Sequence, residues 1–205
     1  MPKIVDHQQR KIEIAEITWR LIQTQGLEAV SLRAIAKELG MTTGVLWSYF
    51  KDKESLMMFM LDHVFGGDLT LQMVNAAKGT VGVDRIEQMV TASLPLTKQR
   101  SQAWQYWVKF LSVAVSREAL GAAQRARYTR FRQALRKELK SLDTDGQLSR
   151  VHRLEFLADA IVVMVDGIGV DHVLDPKRFN AKHQRSLVQL FLKGLLETAT
   201  NVKKR

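Results

Sequence analysis

Residues 31–50 concentrate the side chains best suited to touch a polyanion. Thr42 and Thr43 stand together after Gly40-Met41 and before Gly44. At a helix start, hydroxyls and free N–H groups meet phosphate oxygens, and a glycine lets the backbone come close to a duplex. Trp47, Ser48 and Tyr49 follow on the same short segment, and the Tyr49 hydroxyl can donate to phosphate. Lys53 begins the next segment and complements backbone charge, while Ser31 and Arg33 join from the preceding one. Lys3, Arg10, Lys11 and Lys51 are further phosphate candidates.

The elements that must hold these residues are two short helices. Ser31 is an N-cap type, and Leu32, Ile35, Ala36 and Leu39 share one face of the helix that follows. Gly40 permits the positive φ of a tight turn. A second helix runs from Thr42 or Thr43 to Phe50, with Leu46 and Phe50 one turn apart. Ile35, Met41, Leu46 and Phe50 can close a small core, which leaves Thr43, Gly44, Trp47 and Ser48 on the opposite face. This is the layout of a helix-turn-helix, whose second helix enters the major groove of DNA. Any two short amphipathic helices joined at a glycine share the spacing, so the pattern alone also admits a plain structural reading.

The rest of the chain bounds the answer. It has 205 residues, only three prolines and no cysteine. Without cysteine there is no disulfide scaffold, thiolate catalysis or Cys-ligated metal. Apolar residues recur at three and four, which reads as all-α: a helix from Asp6 to Gln25 closed by Gly26, the pair above, and a connecting helix after Asp52. Further helices follow over Leu69–Ala77, Val83–Ser93, from Ser101 as N-cap through Trp104–Phe110, Glu118–Leu142, Ser149–Leu174 and Asn180–Thr200, about nine in all. We expect a helix-turn-helix domain over 1–52 and a larger helical domain over 53–205, with 53–65 as the connecting helix. The formal charge is +10, yet residues 1–56 hold 8 Lys and Arg against 7 Asp and Glu. Placement of charge, not its total, must therefore carry DNA recognition. No apolar run approaches the length of a membrane span, and the N-terminus lacks the core of a signal peptide. These features predict a soluble, cytoplasmic protein.

Ser31-Leu32-Arg33-Ala34-Ile35-Ala36, Gly40-Met41-Thr42-Thr43-Gly44-Val45-Leu46-Trp47-Ser48-Tyr49-Phe50, then Lys53 and Leu56, resembles the TetR family of bacterial transcriptional regulators. Two departures stand out. Trp47 replaces the usual Tyr, so an indole N–H takes the place of a phenol, and Leu39 replaces a usual Ala. The resemblance implies a homodimer that binds double-stranded operator DNA, with a C-terminal domain that takes a small effector and dimerises through its last two helices. The patches Ala103–Phe110 and Val165-Asp166-Gly167 resemble the choline-responsive repressors of betaine synthesis.

Two further sites follow as expectations. Trp104, Trp107, Phe110, Tyr128 and Phe131 with Asp166 suit a small organic cation, since aromatic faces and one carboxylate stabilise positive charge; plain core packing and an uncharged ligand are the alternatives. Ile161, Val165 and Ile168 with Leu187, Leu190, Phe191 and Leu195 offer an apolar dimer face. The basic run from Arg125 to Lys140 reads as the solvated face of a long helix. No nucleotide-binding or hydrolase motif occurs, and no cofactor or metal is expected. A histidine–carboxylate pair such as His152 with Glu155 or Asp159 is unspecific. The rival to a regulator is a helical adaptor or small-molecule-binding protein without sequence-specific DNA binding, which would leave the Thr-Thr-Gly arrangement unexplained.

Overall fold

Helix starts and stops written into the sequence become ten helices among the described residues, which in this computed structural model are 6–26, 31–64, 67–144 and 154–201. They are α1 (His7–Gln25), α2 (Leu32–Glu38), α3 (Thr43–Tyr49), α4 (Lys53–Val64), α5 (Leu69–Ala76), α6 (Gly82–Ser93), α7 (Lys98–Ala114), α8 (Glu118–Thr144), α9 (Leu154–Leu174) and α10 (Ala181–Asn201). The fold is all-α, and no described helix is long and apolar enough to cross a membrane. The chain divides into two units, residues 1–67 with 109–123, and residues 68–108 with 124–205. Two helices therefore belong to both: α7 begins in the second unit and ends in the first, and α8 does the reverse.

In the first unit the Asp6 carboxylate caps α1 through the N–H groups of Gln8 and Gln9 at 3.0 and 3.2 Å. Ile14, Ala15, Thr18, Leu21 and Ile22 form the buried stripe of α1. Ser31 caps α2 at the Ala34 N–H, 3.2 Å away. The α2–α3 turn is a glycine-centred C-cap: Gly40 has φ +64°, its N–H reaches Lys37 O at 3.1 Å, and the Met41 N–H reaches Ala36 O at 2.9 Å. Thr42 then caps α3 at the Val45 N–H. Leu46 and Phe50 are buried with Ile35 and Ala36. Phe50 meets the Phe59 ring edge-on at 5.5 Å. Asp52 and Ser55 cap α4 reciprocally, at 2.7 and 3.2 Å.

The second unit is built around α9, whose Leu157, Ala158, Ile161, Val162, Val165 and Ile168 are all buried. Ser101 is not the cap of α7, as the sequence suggested. Thr97 takes that role at the Arg100 N–H, 3.2 Å away, because the helix begins one turn earlier. Inside α7, Ser101 Oγ instead lies 2.9 Å from His172 Nε2. His172 Nδ1 is 2.8 Å from the Phe179 carbonyl, which also accepts from Gln184 Nε2 at 2.6 Å. A carbonyl only accepts, so Nδ1 carries a proton there. This buried cluster joins α7, α9 and α10. The expected start of α9 near Ser149 lies outside the described residues, as does His152.

Gly169 on α9 is set by a close approach. A Cβ at this position would lie 2.1 Å from Trp104 Cζ3. Trp104 cannot give way freely, since its Nε1–H donates to the Ser93 carbonyl at 2.8 Å and its ring abuts Trp107 edge-on at 4.8 Å. Gly169→Ala is expected to cost about 1–3 kcal/mol from overpacking, outweighing the ~1 kcal/mol that alanine gains in a helix interior. The check is a lower urea midpoint with an unchanged m-value.

Candidate functional site

The turn and caps of α2 and α3 decide which side chains look outward. Leu46 and Phe50 point into the first unit, so the opposite side of α3 carries Gly44, Val45 and Ser48, flanked by Trp47. Thr42, Gly44, Trp47 and Ser48 are exposed, as are Ser31 and Arg33 on the neighbouring helix. Thr43, Tyr49 and Lys53 are half-buried. The Thr42 and Ser31 oxygens accept cap bonds, which leaves each hydroxyl hydrogen free to donate outward. The Ser48 hydroxyl donates to the Val45 carbonyl at 2.7 Å. Tyr49 stacks against His7 with ring centroids 4.7 Å apart. A Cβ at Gly44 would meet only Thr42 Oγ1, at 3.8 Å, so the backbone there stands open. Among the accessory cations, Arg10 pairs with Glu13 and Lys11 sits over the Phe50 ring at 5.5 Å, while Lys51 is exposed. Lys3 lies outside the described residues.

The sequence reading placed Val45 on neither face of α3, since an apolar side chain carries no polar signal of exposure. It is 45% exposed.

In the second unit the residues around Asp166 form a second constellation. Tyr128 Oη donates to Asp166 Oδ2 at 2.6 Å. Burial drives the Asp166 carboxyl up to about 6, against the downward pull of the Tyr128 bond and of Arg132. Burial, then the Asp166 charge, push the Tyr128 phenol far above its ordinary range. Arg132 lies over the Tyr128 ring at 5.2 Å and is bonded to Asp159. Asp166 thus gains its direct hydrogen bond from a neutral phenol. Gln124, one turn before Tyr128 on α8, hydrogen-bonds that phenol and is only 7% exposed, yet its Oε1 has no partner among the described residues. Its place in an Ala- and Arg-rich stretch gave no signal of burial.

The expected aromatic wall divides. Trp104, Trp107 and Phe131 are buried in the second unit, and Trp104 is held by Ser93 and Gly169 as a packing element. Phe110 is buried and groups with the first unit. Elsewhere on α8, Arg125, Arg130, Arg136, Lys137 and Lys140 are exposed while Leu135, Leu139 and Leu142 are buried, the arrangement of a solvated face. Arg127 is the exception, and burial lowers it to about 10. Glu155 and Asp159 pair with Arg136 and Arg132.

The apolar residues named for a dimer face also divide. Ile161, Val165 and Ile168 are 0, 2 and 5% exposed within one chain, so they pack its own core. The outward side of α9 carries Phe156, Val163 and Leu174 at 61, 68 and 77% exposure. On α10, Leu190 is 68% exposed and Leu187 and Phe191 are half-buried. The Leu195 side chain lies outside the described residues. The reason is that α9 is apolar almost all round, and its periodicity does not distinguish the inner from the outer side.

Comparison with known proteins matches the chain in two parts. Residues 82–197 match the family described as BetI-type transcriptional repressor, C-terminal, and residues 14–58 match the bacterial regulatory proteins of the tetR family. The chain is 25% identical over 206 residues to the HTH-type transcriptional regulator PksA of Bacillus subtilis, covering 100% of this chain and 99% of that one. It is 26% identical over 199 residues to the HTH-type transcriptional regulator BetI of Vibrio vulnificus, covering 96% and 97%. The fold is shared with a putative transcriptional regulator from Saccharomonospora viridis solved in complex with choline, with TM-score 0.76, 19% identity and coverage of 91% and 96%. With a helix-turn-helix at its N-terminus and a matching C-terminal half, the chain belongs to the TetR family of bacterial regulatory proteins, as a DNA-binding transcriptional regulator of the BetI type and not an enzyme.

Proposed function

We propose that this regulator is a cytoplasmic repressor released from its operator by a small organic cation, with choline or a related quaternary amine as first candidate. The observation that carries the cation is Asp166. A carboxylate that is largely buried, raised to about 6 and bonded to a neutral phenol keeps negative charge at neutral pH that Arg132, itself bonded to Asp159, offsets only from a distance. Such a group weakens the fold unless something else calls for it. A cation beside aromatic side chains supplies that reason, and each desolvated contact contributes about 0.5–2 kcal/mol. The unpartnered Gln124 Oε1 adds an acceptor for a ligand O–H or N–H. The choline-bound regulator of S. viridis supports the same class. An uncharged ligand is the second reading, favoured by the Tyr128–Asp166 bond, which gives the carboxylate a structural partner.

On the DNA side, Thr42, Thr43, Gly44, Trp47 and Ser48 present α3 to the major groove, with Ser31, Arg33, Tyr49 and Lys53 toward the phosphates. The homodimer pairs the outward side of α9, Phe156 and Val163, with Leu187, Leu190 and Phe191 of α10. Two α3 helices then lie about one turn of DNA apart, roughly 34–36 Å. Because α8 runs through both units, a ligand seated at Tyr128 and Asp166 acts on a helix that continues into the DNA-binding unit. A ligand that prefers a different α3 spacing shifts the population off the operator.

A mobility-shift assay on fragments selected from genomic DNA tests this reading. Lys53→Ala should weaken all DNA alike and flatten the salt dependence by about one charge, whereas Thr43→Ala should change the preference between operator variants. Choline should release the wild-type complex and a neutral isostere should not; equal effects of both would favour the uncharged ligand.

Asp166→Asn should fail to respond to choline and should also be more stable than the parent at pH 7. The folded protein holds the Asp166 proton to about 6, against an ordinary 3.8. Stability from that proton is present below 3.8 and lost as pH rises through 6. The variant's advantage, roughly 1–2 kcal/mol at neutral pH after discounting for solvent screening, should therefore vanish near pH 4. Urea unfolding at the two pH values reads it.

A further inference from the structure

We propose that Val45 reads the C5-methyl group of a thymine in each operator half-site, which makes it a specificity determinant of this regulator. This rests on α3 being the reading helix. On the outward side of α3, Gly44 has no side chain and stands open to any approaching surface. Ser48 is turned back, its hydroxyl donating to the Val45 carbonyl at 2.7 Å. Val45 is 45% exposed and Trp47 39%, and as i and i+2 of one helix they leave it on opposite flanks, so Val45 is the apolar side chain offered on its side of the Gly44–Ser48 surface.

Valine has neither donor nor acceptor, so it gains nothing from the polar edges of guanine, adenine or cytosine. The apolar group that B-DNA displays in the major groove is the thymine methyl, and the minor groove displays none. Two features make the contact discriminating. A β-branched side chain has one strongly preferred rotamer in a helix, so little freedom is lost on docking. The backbone beneath it is also fixed, by the Thr42 cap onto the Val45 N–H and by burial of Leu46 in the next position. A cytosine or purine at the same step would leave the two valine methyls against polar edges and strip water from them.

The test replaces single thymines by deoxyuridine, which removes the methyl and keeps every Watson–Crick and phosphate group. Operators are first selected from random duplex DNA with the full chain, then each thymine is substituted in turn and binding is measured by mobility shift. One thymine per half-site should show a roughly three- to fivefold loss with the wild type, the worth of one buried methyl. In Val45→Ala that loss should disappear, while circular dichroism shows the fold intact, as expected for an exposed position. Trp47→Ala is the control and should keep the deoxyuridine penalty. The proposal is overturned if no thymine is sensitive to demethylation, if the penalty survives in Val45→Ala, or if it vanishes in Trp47→Ala instead. A selection that enriches no sequence overturns the reading-helix assignment together with the proposal.

Discussion

The proposed reading of DNA rests on a seven-residue helix that could not hold itself. α3 spans Thr43–Tyr49, well short of the length at which an isolated helix persists in water. Its stability is borrowed from Leu46 and Phe50, buried with Ile35 and Ala36, and from the α2–α3 turn around Gly40 at φ +64°. That turn closes two hydrogen bonds onto α2, so the angle between the helices is fixed by backbone geometry as well as by packing. The Thr42 cap fixes the first turn of α3, and the reciprocal Asp52–Ser55 cap starts α4 three residues after it ends. Side chains on such an anchored helix have little left to order on docking, a precondition for selectivity.

The second unit follows a different logic. Most of its core is ordinary apolar packing, sharpened where Gly169 admits Trp104 and where His172 meets Ser101 on one side and shares the Phe179 carbonyl with Gln184 on the other. Against that background the Tyr128–Asp166 pair stands out as a buried polar contact whose carboxyl is pushed up by burial. A well-packed apolar pair would serve the fold better. Sites that break the general rule of consistency are where ligand chemistry is expected, and α8 places this one on a helix whose first residues belong to the DNA-binding unit.

Much of this was legible in the amino-acid order. The caps Asp6, Ser31 and Thr42 and the breaker Gly40 give their helices away because each has a local physical job. The helix-turn-helix is readable since its small core uses one turn of spacing, Leu46 to Phe50. What stayed hidden depends on tertiary context. Val45 carries no polar group to mark it as a surface residue, and it is exposed because Leu46 takes the inward direction. Ile161, Val165 and Ile168 read as a free surface since α9 is apolar on several sides; only packing reveals that Phe156 and Val163 face out. Ser101 looks like a cap until Thr97 is seen one turn earlier. Gln124 has no sequence signal at all, since its burial depends on how α8 is covered. The Tyr128–Asp166 bond joins residues 38 positions apart, beyond any local pattern.

The central claim is that α3 docks in the major groove, once per half-site. Dimethyl sulfate protection of a selected operator tests it most directly, because the reagent methylates guanine N7 in the major groove and adenine N3 in the minor groove. The account predicts N7 protection in two patches about 10 bp apart, with adenine N3 between them still reactive. Protection confined to adenine N3, or a single N7 patch at saturating protein, would contradict it.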